Sequence, residues 1–325
     1  MSGGGSIPYH LRQNKAIERN LFIDLLSRIG RYVNISDYTY IGFGGPFLED
    51  FKHLHSALRI EKMLSIELEE NVYYRQVFNQ PVSCVNLLHM SSSDFIYHHD
   101  FSPGTIVWFD YASPSDLGAQ LSETQRLVEK LSHADIFKIT VNADPQTLGV
   151  PSNDAPLLPF RKAVAADRLG DYAPATMDDH SVARSNYPKL LLSAILNAAR
   201  HGLRASGDLW LQPLTSFSYK DGQQMLTFTG IILLKDKIEE FLKQTRLESW
   251  KFSNLDCICP MPISVPAFSV KERLFVESLL PAHAAETIID KMGYTIDDNI
   301  NDAHTLMKNF VEFYRLYPWY SRVVL

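Results

Sequence analysis

The stretch from Tyr38 to Phe47, Tyr-Thr-Tyr-Ile-Gly-Phe-Gly-Gly-Pro-Phe, limits what this chain can fold into more than any other. Its first half favours a β-strand, its middle is a glycine turn, and an amphipathic segment follows. Glycines between a parallel strand and a helix let the backbone approach a ligand closely, beside the unpaired N–H groups where the helix begins. The stretch therefore predicts a strand, a tight loop and a helix, with a nucleotide-type cofactor at the loop.

Patterns typical of strands and helices alternate along the chain after that turn. Strands are predicted at 62–67, 82–88, 105–110 and 135–142, with intervening helices at 69–79 and 120–131. The run 105–110 is almost continuously apolar, as is typical of a central parallel strand that is covered on both faces. This succession of strand–helix units predicts a doubly wound parallel sheet with right-handed crossovers, whose ligand site lies at the carboxyl ends of the strands.

The second half of the chain predicts a different ending for the sheet. Strands at 209–214 and 225–234 are separated by Lys220-Asp221-Gly222, which is a hairpin signal. We therefore predict an α/β fold with a doubly wound, mostly parallel sheet of the seven-stranded type and a terminal antiparallel hairpin. A mainly helical C-terminal appendage follows, so the predicted domains are residues 1–240 and 241–325.

Two segments lie outside the regular alternation. Residues 143–189 are polar and rich in Pro and Asp, and a segment of that size in a compact fold predicts a lid or substrate-binding element. Near the end of the appendage, apolar side chains recur at helical spacing. That stripe predicts core packing or a subunit contact, compatible with a homo-oligomer, and consists of Leu306, Phe310, Phe313 and Tyr317.

Acidic residues follow the predicted strands at the edge where the ligand is expected. Glu67 ends the second strand, 22 positions after Gly45, where nucleotide-binding α/β folds place an acid on the ribose hydroxyls. Two features disfavour a dinucleotide such as NAD or FAD as the ligand. Phe47 stands where the dinucleotide fingerprint needs a small residue, and Glu49 and Asp50 in the first helical turn oppose a pyrophosphate.

Six mostly parallel strands, a glycine turn after strand one, acids after strands two, three and four, and a final antiparallel hairpin together resemble the class I S-adenosylmethionine-dependent methyltransferases. The resemblance covers roughly residues 12–235. It implies a Rossmann-like fold, methyltransferase activity and S-adenosylmethionine as cofactor. The residues it assigns to the cofactor are Gly42, Phe43, Gly44, Gly45, Glu67, Asp94, Phe95 and Asp110.

Each of these positions has a role by resemblance. The glycine turn 42–45 would pass beneath the amino-acid portion of the cofactor, and Glu67 would hold its ribose hydroxyls. Asp94 would accept a hydrogen bond from the adenine amino group, with Phe95 beside the ring. Asp110 would lie next to the methyl donor.

Asp110 and Tyr111 are the predicted catalytic residues. Methyl transfer from a sulfonium is an in-line displacement, so the protein must align donor and acceptor and remove an acceptor proton where necessary. Asp110 could orient an acceptor hydroxyl or amine, or bind the cofactor's ammonium, and Tyr111 could cover the donor. The alternative is that Asp110 only caps the following turn and that Tyr111 is structural.

A small basic face is predicted on the first helix, which the apolar spacing assigns to residues 15–29 and Gly30 ends. Arg12, Lys15 and Arg19 lie at helix-like spacing along it. They are candidate substrate contacts, and the alternative is an ordinary solvated helix face.

Two further groups could hold a metal, and neither leads us to predict one. Asp110, Asn142 and Asp144 offer oxygen ligands that suit Mg²⁺, yet such residues are also ordinary loop formers. Cys257 and Cys259 lack the second pair or nearby His that a zinc site needs.

Composition limits the setting and the partners. There is no apolar run of about 18 residues, residues 1–6 lack the features of a signal peptide, and three cysteines fit a reducing compartment. We therefore expect a cytoplasmic protein without a membrane partner. A formal charge of −6 and a pI near 6.0 make nucleic acid a less favoured partner without excluding it.

The sequence thus favours methyl transfer to an O or N atom of a small-molecule or nucleotide-sized acceptor. The first alternative is a nucleic-acid base methyltransferase, which the basic face and Asp110-Tyr111 would suit. The second is a non-catalytic scaffold subunit that only binds the cofactor.

Overall fold

A computed structural model describes residues 12–152 and 154–318, and the strands of this part form one eight-stranded sheet. Residues 1–6, on which the signal-peptide expectation depends, lie outside the described ranges. The strands are β1 (Thr39–Gly42), β2 (Lys62–Glu67), β3 (Val85–His89), β4 (Thr105–Asp110), β5 (Ile136–Asn142), β6 (Leu209–Lys220), β7 (Gln224–Leu234) and β8 (Met261–Ile263). Their order across the sheet is β3-β2-β1-β4-β5-β7-β6-β8.

Helices cover both faces of this sheet. They are α1 (Gln13–Ile29), α2 (Glu49–Leu58), α3 (Glu70–Asn79), α4 (Ser92–His98), α5 (Leu117–Lys130), α6 (Leu157–Leu169), α7 (Tyr187–Gly202), α8 (Ile238–Thr245), α9 (Val270–Leu279), α10 (Ala285–Met292) and α11 (Ile300–Phe313). Within residues 12–152 and 154–318, no helix combines the length and the apolar character needed to span a membrane.

The strand directions confirm the predicted fold class. β1, β2, β3, β4 and β5 pair in parallel, whereas β7 runs antiparallel to both of its neighbours, β5 and β6. The hairpin therefore inserts its second strand between β5 and its first strand, so β6 again runs parallel to the rest. The short strand β8 was not predicted, and it extends the sheet by pairing in parallel with β6.

Alternation along the strands divides the core into two layers. Ile106 and Trp108 of β4 belong to the layer beneath α1 and α2, while Val107 and Phe109 face α5 and α7. Every residue of β5 is buried, as expected for a strand covered on both faces.

The C-terminal region contributes to the first of these layers. Phe310 is fully buried in the same cluster as Ile17 and Leu21 of α1, and Phe313 stacks on Phe252 with the ring centroids 5.4 Å apart. The core-packing interpretation of the aromatic stripe is therefore confirmed for these rings. The domain boundary at residue 240 stays a prediction.

Candidate active site

The glycine turn lies where β1 ends, and the local packing itself requires glycine. A Cβ on Gly42 would lie 2.9 Å from the Trp108 carbonyl oxygen of the neighbouring strand. On Gly44 it would lie 2.2 Å from Leu48 Cδ2 and 2.6 Å from Ser65 Oγ. Gly45 has a φ of +52°, in the left-handed region that favours glycine. The turn thus passes close to β2 and β4 at the carboxyl edge of the sheet.

The basic face predicted on α1 turns inward. Lys15 and Arg19 are only 8% and 5% exposed, and Arg12, which precedes the helix, is half-buried. The apolar residues of α1 pack on the sheet, and the turn of the helix carries these two side chains to the same side. For Lys15 and Arg19, the solvated-face alternative is therefore wrong.

Lys15 and Arg19 meet Asp110 at the end of β4. Lys15 Nζ lies 3.2 Å from Asp110 Oδ2, and the Arg19 guanidinium lies 3.6 Å from the same oxygen. Arg19 also donates from two nitrogens to the carboxylate of Asp50 on α2, one of them at 2.9 Å. This cluster, which we call the strand-end cluster (Lys15, Arg19, Asp50 and Asp110), joins two helices to the central strand.

The charges in the strand-end cluster shift one another's protonation. Burial raises the pKa of Asp110, but Lys15 and Arg19 more than offset this, so its pKa lies below the ordinary value. Burial and the nearby Arg19 lower the pKa of Lys15, against the opposing effect of Asp110 and Asp50, and the net shift is downward. The cluster thus holds an ionised carboxylate beside an amine that gives up its proton more readily than an exposed lysine.

A second buried ion pair lies deeper, beneath α1. Lys138 of β5 is fully buried, and its Nζ lies 2.6 Å from Oε1 of Glu18. The same Nζ lies 3.6 Å from the centre of the Trp108 ring and 4.2 Å from that of Phe22. Burial lowers the pKa of Lys138, and Glu18 partly opposes that effect. The pair anchors α1 to the middle of the sheet.

The hairpin turn between β6 and β7 holds the beginning of α1. The carboxylate of Asp221 accepts hydrogen bonds from the backbone N–H groups of Asn14, at 3.3 Å, and Lys15, at 2.7 Å. The residue that precedes the helix, Arg12, makes no side-chain cap. Asp221 therefore caps α1 from a distant part of the chain and fixes Lys15 over the strand ends.

Tyr111, the other predicted catalytic residue, points away from the strand-end cluster. It follows Asp110, and successive side chains of a strand face opposite sides of the sheet. Its ring lies 5.6 Å from that of Phe43, and its hydroxyl donates to Glu123 of α5 at 2.7 Å. Burial and Glu123 raise the pKa of Tyr111 well above its ordinary value. These contacts match the structural alternative for Tyr111.

The predicted adenosine-binding residues follow β2 and β3 at the same edge of the sheet. Glu67 is half-buried, accepts a hydrogen bond from the Glu69 N–H at 2.9 Å, and has its pKa raised by burial. Asp94 is exposed and accepts from the Ser91 hydroxyl at 2.7 Å in the first turn of α4. Phe95 is buried and stacks on a neighbouring histidine ring. In the described ranges, no hydrogen bond or ion pair joins Glu67 or Asp94 to the strand-end cluster.

Of the residues considered for Mg²⁺, Asn142 and Asp144 are joined by a hydrogen bond from the Asp144 N–H to Asn142 Oδ1 at 2.9 Å, whereas Asp110 belongs to the strand-end cluster. Asn142 donates from its side chain to Gln223, and Asp144 accepts from the Gln146 N–H at 3.0 Å, capping a short 3₁₀ turn. Among residues 12–152 and 154–318, no three His, Cys, Asp or Glu side chains are grouped as metal ligands would be.

The segment 143–189 folds against the loop that follows Asp110. It contains α6 and several 3₁₀ turns. Arg168 of α6 donates to the carbonyl oxygens of Pro114, at 3.2 Å, and Thr147, at 3.1 Å. These contacts bring the predicted lid next to the exit of β4, and its role as a lid stays a prediction.

Four charged residues of this region were not predicted to belong to the site: Glu18, Asp50, Asp221 and Lys138. Two of them carry a signal that sequence analysis could use. Lys138 interrupts the run 136–141, which is otherwise apolar or β-branched, and Glu18 lies on the helical stripe that continues through Leu21 and Leu25. A charge within each buried pattern indicates a partner, because an isolated buried charge is costly.

Comparisons with known proteins identify a family that the chain matches along nearly its whole length. A family model described as "Putative O-methyltransferase" matches residues 7–325. A search among curated proteins finds no match.

Three solved structures are similar at low identity. Trm1 from Pyrococcus horikoshii, in complex with S-adenosyl-L-methionine, is 14% identical over 70% of this chain and 57% of its own, with a TM-score of 0.45. The O-methyltransferase TomG from Streptomyces achromogenes, in complex with SAM, is 13% identical over 66% of this chain and 79% of its own, with a TM-score of 0.37. An O-methyltransferase from Bacillus cereus, in complex with SAH, is 10% identical over 66% of this chain and 80% of its own, with a TM-score of 0.35. This chain spans little more than half of the Trm1 chain.

Proposed function

Because the chain belongs to the O-methyltransferase family, we propose that it transfers a methyl group from S-adenosylmethionine to an oxygen atom of a small-molecule or nucleotide-sized acceptor. One observation carries the proposal for the site. Asp110, whose pKa is lowered by two cations, ends the central strand β4, and Trp108 of that strand pairs with Gly42 of the glycine turn. An ionised acceptor-facing group and a cofactor turn thus share one edge of the sheet.

The carboxyl edge of the sheet offers groups that fit this cofactor. The turn 42–45 carries no side chain at Gly42, Gly44 or Gly45, and Glu67 ends β2 as a half-buried carboxylate. In this proposal the turn lies beneath the amino-acid portion, Glu67 binds the ribose hydroxyls, and Asp94 and Phe95 bind the adenine. When bound, the cofactor supplies an electrophilic methyl group.

The protein's own contribution is alignment and exclusion of water. Asp110, together with the two cations it binds, orients the acceptor oxygen, and such positioning accounts for much of the acceleration of a displacement. Lys15 and Arg19 keep Asp110 ionised and line the acceptor side of the site. The segment 143–189, which contacts the loop after Asp110, covers the acceptor.

The buried state of the α1 cations favours a small acceptor over nucleic acid. Arg12, Lys15 and Arg19 formed the predicted basic face that suited a nucleic-acid substrate, and two of them, Lys15 and Arg19, are engaged with carboxylates inside the protein. Counterion release from phosphates requires exposed cations. A location in the cytoplasm remains our expectation from the cysteine content.

Calorimetric titration with S-adenosylmethionine and with its demethylated product tests the cofactor assignment. We expect both to bind, and failure of both to bind would refute the proposal. Glu67→Ala should weaken binding, while Glu69→Ala, which removes an exposed acid two residues away, should not. Equal binding by the Glu67→Ala variant and the wild type would mean that the ribose lies elsewhere.

The acceptor class is tested with cofactor that carries a labelled methyl group. The labelled cofactor is offered with the protein to cell RNA, to DNA and to a small-metabolite fraction. We expect label in the metabolite fraction. Label confined to the macromolecules would refute the small-molecule assignment while leaving methyl transfer intact.

A further inference from the structure

We propose that Lys15 is the general base of the methyl transfer: its amine takes up the proton of the acceptor hydroxyl, while Asp110, which binds the same amine, holds that amine in place. The inference rests on the proposed function and deepens it, since it names the proton acceptor of the same site. It also specifies the substrate class, because a base is needed for a neutral hydroxyl and not for a carboxylate.

The geometry places the Lys15 amine at the outer end of the buried charges. Its Nζ lies 3.2 Å from Asp110 Oδ2, and the two side chains are 10% and 17% exposed. By contrast, the Arg19 side chain is 6% exposed and Lys138 is fully enclosed. Of the titratable cations in this network, Lys15 is therefore the more exposed, and its amine lies beside Asp110.

Several elements contribute the charged and titratable groups near Lys15. Arg19 lies one turn further along the same helix. Asp50 comes from α2, Asp110 from β4, Asp221 and Tyr219 from the β6 hairpin, and the Glu18–Lys138 pair from α1 and β5. Burial and Arg19 favour the neutral amine, whereas Asp110 and Asp50 favour the ammonium, and the net effect lowers the pKa of Lys15.

Arg19 explains how Asp110 keeps its charge when Lys15 is neutral. A guanidinium does not lose its proton in proteins, so it remains a fixed positive charge 3.6 Å from Asp110 Oδ2. Asp50 binds Arg19 through two nitrogens and fixes its orientation. The carboxylate of Asp110 thus has one permanent cation and one that can exchange a proton.

The proton and electron balance of the step is complete. The acceptor O–H bond breaks and its proton moves to the neutral Nζ of Lys15, which becomes an ammonium. The freed electron pair of the oxygen forms the bond to the methyl carbon while the carbon–sulfur bond breaks, and that electron pair remains on sulfur. The new ammonium faces the ionised Asp110, and it returns its proton to water when the product leaves.

The test begins with a direct titration that needs neither cofactor nor acceptor. Side-chain amine NMR of protein labelled at lysine is recorded across pH, and the Lys15 signal is identified by its loss in Lys15→Arg. Lys271→Arg, at an exposed position on α9, is the matched control for assignment. We expect the amine of buried Lys15 to titrate at a lower pH than the amines of the exposed lysines. Titration together with the exposed lysines, near the ordinary pKa of about 10.4, would overturn the proposal.

Activity then separates a base from a merely structural lysine. With the small-metabolite fraction and labelled cofactor, wild-type transfer should rise with pH over the range in which the NMR signal of Lys15 titrates. Lys15→Arg keeps a positive charge beside Asp110 but supplies no neutral amine, so it should bind the cofactor normally in calorimetry and transfer at least 100-fold more slowly, in line with the usual contribution of a general base. Transfer by Lys15→Arg at the wild-type rate would overturn the proposal. Failure of the wild type to bind the cofactor would instead refute the proposed function. The NMR titration would still show whether the pKa of Lys15 is lowered.

Discussion

The buried pair of Glu18 and Lys138 gives the sharpest prediction for the fold around the site. Lys138→Met removes the cation and keeps an unbranched side chain of similar length against Phe22 and Trp108. Glu18 is then left 1% exposed, without the ammonium that lay 2.6 Å away. Breaking a buried ion pair from one side typically costs about 3–5 kcal/mol.

The cost has an upper limit that depends on pH. A buried carboxylate without a partner takes up a proton instead of keeping its charge. A glutamate in the unfolded chain has an ordinary pKa of about 4.3. Protonating it at pH 7 costs about 1.36 kcal/mol for each pH unit above that pKa, or roughly 3.7 kcal/mol in total. Lys138→Met should therefore lower the free energy of unfolding by about 3–4 kcal/mol at pH 7. The deficit should shrink as the pH falls, since near pH 4.3 the unfolded state binds the same proton.

The measurement is urea unfolding at several pH values, followed by fluorescence of the tryptophans. The double variant Glu18→Gln/Lys138→Met is the matched control, since it keeps the shapes and removes both charges. We expect the double variant to recover most of the free energy of unfolding that Lys138→Met loses at pH 7. Its difference in stability from the wild type should not change with pH. Lys251→Met, which breaks an exposed pair with Glu312, should have little effect. If Lys138→Met and the double variant were equally stable at pH 7, the charge on Glu18 would not be buried as described.

Three further substitutions test the neighbouring structure. Gly44→Ala should destabilise the protein by about 1–3 kcal/mol in urea unfolding, because its Cβ would lie 2.2 Å from a Leu48 carbon, whereas Gly207→Ala meets nothing within 4 Å and should be nearly neutral. Asp221→Ala should cost about 0.5–2 kcal/mol by removing the cap of α1, and an unchanged unfolding midpoint would contradict that role. Asp110 has a lowered pKa, so the stability that it contributes is fully present above its unfolded pKa of about 3.9 and is lost as the pH falls through its lower folded pKa. Asp110→Asn should therefore be less stable than wild type at pH 7, and in acid unfolding the difference should begin to shrink only below about pH 4.

The sheet could be predicted from sequence because its strands are short, apolar and bounded by turn residues. The fully buried β5 and the hairpin signal at Lys220-Asp221-Gly222 fixed the strand count up to β7. Strand β8 could not be found this way, because its three residues are too few to form a periodic pattern. The strand positions of Gly42, Glu67 and Asp110 were also readable from sequence, since parallel strands all end at one edge.

The buried contacts inside the site could not be predicted from sequence in the same way. Whether Lys15 and Arg19 face water or the sheet depends on the rotation of α1, and that rotation depends on partners far along the chain. Asp110 lies 95 positions from Lys15, and Asp221 lies 206 positions away. Local spacing cannot report such contacts, so a buried ionic cluster and a solvated basic face have the same pattern.

The position of α1 connects stability to the chemistry we propose. The same helix carries Glu18, which pairs with Lys138 in the core, and Lys15, which meets Asp110 at the strand ends. Three residues along a helix correspond to a rise of about 4.5 Å, so the deep pair fixes both the depth and the rotation at which the Lys15 amine reaches Asp110. A buried ion pair adds little net stability compared with apolar packing, but it penalises every rotation of the helix that would separate the charges. We therefore expect the Glu18→Gln/Lys138→Met variant, although nearly as stable as the wild type, to lose the lowered pKa of Lys15 in the NMR titration. An unchanged Lys15 titration in that variant would show that Asp221 alone sets the register of α1.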